Sequence, residues 1–182
     1  MARIIILNGV GSAGKSSIAR ALQDITAEPY LYVAMDMFLD MLPAAYGDHP
    51  DGLTFETVTV DGEPAVAIRS GIVIEQVLRG MRRAVAALAA QGNNLIVDDV
   101  MLGPEMEDYR TLLADFDVSL IGVRAPLAVL EERERRRGDR MIGLARWQYD
   151  RVHEGRKYDL EIDTSTATPA ACALRIKEAL GV

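Results

Sequence analysis

Five apolar runs of strand length punctuate the chain, and positions with helical spacing fill most of the intervals between them. Residues 3–7 (RIIIL) are continuously apolar rather than alternating, the pattern of a strand covered on both faces. Residues 30–35 (YLYVAM), 94–100 (NLIVDDV), 117–125 (DVSLIGVRA) and 158–164 (YDLEIDT) read as the second to fifth core strands. Ile18, Leu22 and Ile25 predict a helix over 15–25, and an Ala-rich segment predicts a long one over 71–91. A short helix is expected at 105–114. Another begins at Pro126 and stops at Gly138, and Thr168 caps a closing helix from Pro169. Residues 53–68 alternate around Asp61-Gly62, a hairpin signal, and are expected to leave the main sheet.

Strands alternating with helices imply crossover connections and a parallel sheet with helices on both faces, an α/β fold. No repeat, low-complexity tract or linker interrupts the pattern, so residues 1–182 are expected to form one domain. In such sheets ligands sit beyond the carboxyl ends of the strands. The candidate residues below cluster at those ends.

Composition narrows the setting. With 49% hydrophobic and 26% charged residues the chain reads as globular. No apolar stretch approaches the ~18 residues of a membrane span, and the first run ends in glycines and a lysine rather than a cleavage site. A single cysteine, Cys172, fits a reducing compartment, and the cytoplasm is the expected address. A net charge of −7 argues against nucleic-acid or anionic-membrane partners, and the pattern leaves room for a homo-oligomer. The charge is uneven: residues 124–157 hold ten of the 20 Lys and Arg against six acids.

The chemistry starts where the first apolar run is broken. Residues 9–16 (GVGSAGKS) fit G-x-x-x-x-G-K-[ST], the P-loop pattern, between a predicted strand and a predicted helix. In such a loop consecutive backbone N–H groups face phosphate oxygens, and the helix adds its positive end. Gly9, Gly11, Ser12, Ala13, Gly14, Lys15, Ser16 and Ser17 are therefore the candidate nucleotide contacts. Lys15 would reach the β- and γ-phosphates of ATP and Ser16 would ligate Mg²⁺. Asp98 is the better partner for the Mg²⁺ shell, being first after the apolar run; Asp99 could face an acceptor instead.

The basic island reads in two ways. Arg133, Arg136 and Arg137 share a helix face, while Arg135 lies among acids. They form either a solvated charged helix or, with Arg140, a lid over residues 133–157 that closes on the transferring phosphate. Asp36, at the end of the second strand, is placed to accept a hydroxyl proton, or else to cap the MFLDML helix. Trp147 and Tyr149 suit core packing better than base stacking. Met35, Met37, Phe38 and Met41 could line an apolar acceptor pocket or simply pack.

Five segments in order, IILNGVGSAGKSS, DMFLDMLP, LIVDDVMLG, RGDRMIGLA and VHEGRKYDLEIDT, together resemble chloramphenicol phosphotransferase and its relatives over almost the whole chain. The resemblance implies the P-loop kinase fold, with five parallel strands in the order 2-3-1-4-5. It also implies ATP- and Mg²⁺-dependent phosphorylation of a primary hydroxyl of chloramphenicol. Carried onto this sequence, it makes Asp36 the catalytic base, Lys15 and Ser16 phosphate and metal ligands, and Arg133, Arg137 and Arg140 lid arginines. The segment 37–69, which should shape the acceptor pocket, matches only loosely. A kinase for a sugar, a shikimate-like acid or a nucleotide-sugar is the second expectation, and a non-catalytic NTP-binding regulator the third. His153 and Tyr158, in the family-like tail, are as well explained by a structural role.

Overall fold

The computed structural model describes residues 1–138 and 141–182. Five parallel strands form the central sheet: β1 (Arg3–Asn8), β2 (Tyr30–Ala34), β5 (Asn94–Asp99), β6 (Asp117–Arg124) and β7 (Leu160–Asp163). Their spatial order is β2-β5-β1-β6-β7. Counting only these five strands along the chain, that is 2-3-1-4-5, the expected order. The remaining pair, β3 (Leu53–Val60) and β4 (Glu63–Ser70), is an antiparallel hairpin in a sheet of its own. Its tip holds Asp61 and Gly62 at φ 52° and 81°, the left-handed pair that a two-residue turn matched to strand twist requires.

Helices cover both faces. α1 (Lys15–Ile25) and α7 (Pro169–Leu180) pack together over one. α3 (Ile72–Ala90) and α4 (Glu105–Leu112) pack on each other over the opposite one. The continuous apolar run of β1 is explained by this sandwich. Ile5 and Leu7 enter the core with Ile18, Leu22 and Ile176, whereas Ile4 and Ile6 enter the one with Met81, Val85 and Tyr109. Each fully buried aliphatic side chain contributes about 1.5–3 kcal/mol, so neither face of β1 is free to vary.

Three further helices complete the fold. α2 (Met35–Leu39) follows β2 directly, and α5 (Leu127–Arg137) runs to a left-handed Gly138. α6 (Leu144–Gln148) then lies against the hairpin, with the Val66 amide donating to the Gly143 carbonyl at 3.0 Å. Thr168 caps α7, its hydroxyl accepting from the Ala171 amide at 3.2 Å. No helix among the described residues is long and apolar enough to cross a membrane.

Candidate active site at the carboxyl edge of the sheet

The glycine loop leaves β1 and enters α1, and its first glycine is forced by space. A Cβ at Gly9 would lie 2.3 Å from the Val123 carbonyl oxygen on β6. α1 begins at Gly14 with no side-chain cap, leaving its first-turn amides to whatever the loop holds. Lys15 is only 4% exposed. Its ammonium donates to the Gly9 and Val10 carbonyls at 2.9 and 3.1 Å and stands 3.5 Å from Asp98. The Ser16 hydroxyl donates to Asp98 Oδ2 at 2.7 Å, and the Tyr32 hydroxyl donates to the same oxygen at 3.0 Å. Burial first, then the Asp98 charge, pushes the Tyr32 phenol up to about 12, so it remains a donor at neutral pH.

Asp98 and Asp99 are successive strand residues and point to opposite faces. Asp98 turns toward Ser16 and Lys15. Asp99 is buried on the other side, where it accepts from the Tyr109 hydroxyl at 2.9 Å and the Val100 amide at 2.8 Å. Desolvation pushes its carboxyl upward. Asp99 therefore does not line the cavity, against the expectation that it could face an acceptor.

That cavity, about 190 Å³, is lined by Lys15, Ser16 and Asp98 together with Asp36. Leu53, Phe55 and Ile68 of the hairpin form its apolar wall. The N-cap of α2 is Ala34, so Asp36 lies inside the first helical turn and is not the capping residue. Asp36 is an exposed residue and lines the cavity. Of the apolar candidates only Met35 lines this space. Met37 and Met41 are 46% and 69% exposed, and Phe38 packs on the α3 side of the core.

The arginines separate into different environments. Arg133 is tied to the end of β7, donating to the Thr164 hydroxyl at 2.9 Å and carbonyl at 2.6 Å. Thr164 in turn donates to the P-loop carbonyl of Ala13 at 2.9 Å. Arg135 and Arg136 both pair with Glu132, as a solvated helix would have them. Arg133, Arg136 and Arg137 also line a second hollow of about 400 Å³, whose opposite wall includes Ser12, Gly14, Ser17 and Pro169. Arg140 lies outside the described residues.

Several organising residues escaped the sequence reading. Glu134 is 2% exposed and accepts from the Gly143 amide at 2.7 Å and the Ala145 amide at 2.8 Å, anchoring the start of α6. It stands four residues after the buried Leu130, a signal that it occupies the inward face. Gln148, at the end of α6, accepts the Gly11 amide at 3.1 Å. Asn8 joins β1 to the tail, donating to the Val152 carbonyl and the Tyr158 hydroxyl at 2.8 Å each, and accepting from the Met101 amide at 2.9 Å. His153 Nδ1 lies 2.6 Å from the same Tyr158 hydroxyl, and burial foremost lowers the imidazole to about 4. Tyr158 lies over Gly122, where a Cβ would fall 2.8 Å from the ring. Both tail residues thus make contacts within the fold, as the structural expectation had them. Trp147 is half-buried beneath the Arg151 guanidinium, and Tyr149 packs on the core as expected.

Among solved structures, a sugar kinase from Janibacter sp. HTCC2649 superposes with a TM-score of 0.66 at 19% identity, covering 100% of this chain and 96% of the other. The shikimate kinase of Acinetobacter baumannii in complex with shikimate superposes with a TM-score of 0.62 at 13% identity, covering 100% and 94%. These likenesses establish the P-loop kinase fold. A protein of Mycobacterium tuberculosis (strain H37Rv) named "Putative O-phosphotransferase Rv2636" is 34% identical over 173 residues, 92% of this chain and 76% of its own length. Residues 2–181 match the family model described as chloramphenicol phosphotransferase-like protein. With a P-loop kinase sheet, a lysine and serine set against Asp98, and that match over nearly its full length, the chain belongs to the chloramphenicol phosphotransferase-like family.

Proposed function

We propose that this kinase-type enzyme transfers the γ-phosphoryl group of ATP to a hydroxyl of an apolar, drug-sized acceptor of the chloramphenicol kind. The observation that carries the reading is that Lys15, Ser16, Asp98 and Asp36 line one cavity together with the apolar Leu53, Phe55 and Ile68. The phosphates would lie on the glycine loop, with Lys15 leaving its two carbonyl partners to meet them. The hollow bounded by Arg133, Arg136 and Arg137 is the natural place for the nucleoside. The acceptor would enter against Leu53, Phe55 and Ile68, so that its hydroxyl lies between Asp36 and the γ-phosphorus.

The step is an in-line displacement. The acceptor oxygen bonds to the γ-phosphorus, the bond to the β,γ-bridging oxygen breaks, ADP leaves, and the hydroxyl proton passes to the Asp36 carboxylate. Ser16 and Asp98, 2.7 Å apart, fit the small protein share of a Mg²⁺ shell that is otherwise phosphate and water. Held there, the ion would supply charge neutralisation for the phosphate oxygens. Tyr32 would fix the orientation of the Asp98 carboxylate.

The decisive test is Asp36→Asn, with [γ-³²P]ATP transfer measured over a panel of hydroxylated antibiotics and metabolites, chloramphenicol included. Turnover should fall by about 10²–10⁴-fold, the range for a positioned general base, with ATP affinity and melting temperature unchanged. An active, stable variant would sink the mechanism. A metabolite kinase for anionic acceptors is the second reading. It is less favoured because Leu53, Phe55 and Ile68 give the cavity that Asp36 lines an apolar wall. ATP binding without turnover on any acceptor would favour a regulator instead.

A further inference from the structure

Gln148 holds a position that neither the glycine-loop pattern nor the catalytic aspartate accounts for. It is 5% exposed, ends a helix of only five residues, and lines the cavity that contains Lys15, Ser16 and Asp36. Its carbonyl oxygen is committed to the Gly11 amide at 3.1 Å. The approach is close enough that a Cβ on Gly11 would stand 3.6 Å from that oxygen. The carboxamide also carries two N–H donors, which no hydrogen bond within the described residues engages. Gln148 lines the cavity beside the glycine loop, so those N–H groups are available to an acceptor bound there.

The helix is also held firmly. Glu134 receives the Gly143 and Ala145 amides, and Arg146 pairs with Glu131 at 2.6 Å. The hairpin grips the residue before α6 through Val66. A side chain fixed at both its backbone and its carbonyl is pre-organised, which is what a donor to developing negative charge requires.

Building on the phosphotransfer reading, we propose that Gln148 is a further catalytic residue whose side-chain N–H donates to a γ-phosphoryl oxygen during transfer. The γ-phosphoryl group is the occupant chosen because Gly11 belongs to the phosphate loop, and its anionic oxygens are the strongest acceptors the site would receive. Gly11 orients the amide, and the amide holds the group in line between ADP and the acceptor oxygen.

Gln148→Glu is the informative variant, because it keeps an oxygen for the Gly11 amide and replaces the donor with an anion. Affinities for ATP and ADP should be measured beside ATP turnover, with water and with the best acceptor from the panel above. ATP affinity should weaken while ADP affinity stays within about twofold, and kcat should fall about 10²-fold, as when one oxyanion donor is removed. If that variant melts early, Gln148→Met removes the donor without charge and should show the same ATP-over-ADP asymmetry. Unchanged kcat with a normal melting temperature, or equal weakening of ATP and ADP, would overturn the assignment and leave Gln148 as a strut. A wild-type protein that neither binds ATP nor transfers phosphate would overturn the phosphotransfer reading and this one together.

Discussion

Replacing Glu134 with Gln tests whether one buried carboxylate holds the start of α6 in place. The carboxylate receives two backbone amides, Gly143 at 2.7 Å and Ala145 at 2.8 Å, with almost no solvent access. Gln preserves the shape and one accepting oxygen, but its NH₂ group must face the other amide, donor against donor. A charge-assisted bond is worth about 1.5–3 kcal/mol and a stranded buried donor about 1–3 kcal/mol, and these overlap, so a loss of about 2–4 kcal/mol is expected. For a chain of this size that corresponds to roughly 4–16 °C in melting temperature. Calorimetry and urea titration would read the loss. Hydrogen exchange at Gly143 and Ala145 should rise more than at the β1 amides, because the defect is local. Phosphoryl transfer should fall as well, since α6 carries Leu144 and Gln148 to the cavity. A shift under about 1 kcal/mol, or exchange rising equally in β1, would refute the capping argument.

Arg133→Ala should weaken ATP binding and lower the melting temperature without a large effect on kcat. Its guanidinium braces Thr164 against the P-loop carbonyl of Ala13, and a pure kcat effect would show instead that it acts on the transferring group. His153 gives a pH signature. Folding lowers it to about 4 from 6.5, so between those values the unfolded chain binds the extra proton. Its contribution to stability is therefore fully present above about pH 6.5 and lost as pH falls toward 4. Denaturation midpoints for His153→Asn should be flatter than wild type across that window, and parallel curves would remove the assignment.

The architecture was legible because its signals are local. Continuous apolar runs mark strands buried on two faces, Asp61-Gly62 marks a hairpin, and Thr168-Pro169 marks a capped helix start. Strand alternation also separates the two aspartates of β5, though the sequence alone does not say which faces α1. What stayed hidden is long-range. The bond from Gln148 to Gly11 spans 137 positions and that from Asn8 to Tyr158 spans 150, and no periodicity reports either. Glu134 was masked by its neighbours, because a run of charged residues reads as a solvated helix even when one member points inward. The arginines were grouped by helical face, yet their roles are set by what lies opposite: Thr164 for one, Glu132 for two others.

Among the described residues, the hairpin that walls the cavity shares no strand pairing with the central sheet. A two-stranded ribbon of this kind has marginal stability alone, and here it is buttressed by α6 rather than by the sheet. Changes at Phe55 or Ile68 can therefore reshape the chamber without disturbing the register of any core strand. Such a division makes selectivity and chemistry separately mutable. A lineage could trade one acceptor for another by drift in β3 and β4 while its phosphoryl-transfer machinery stayed under unbroken selection.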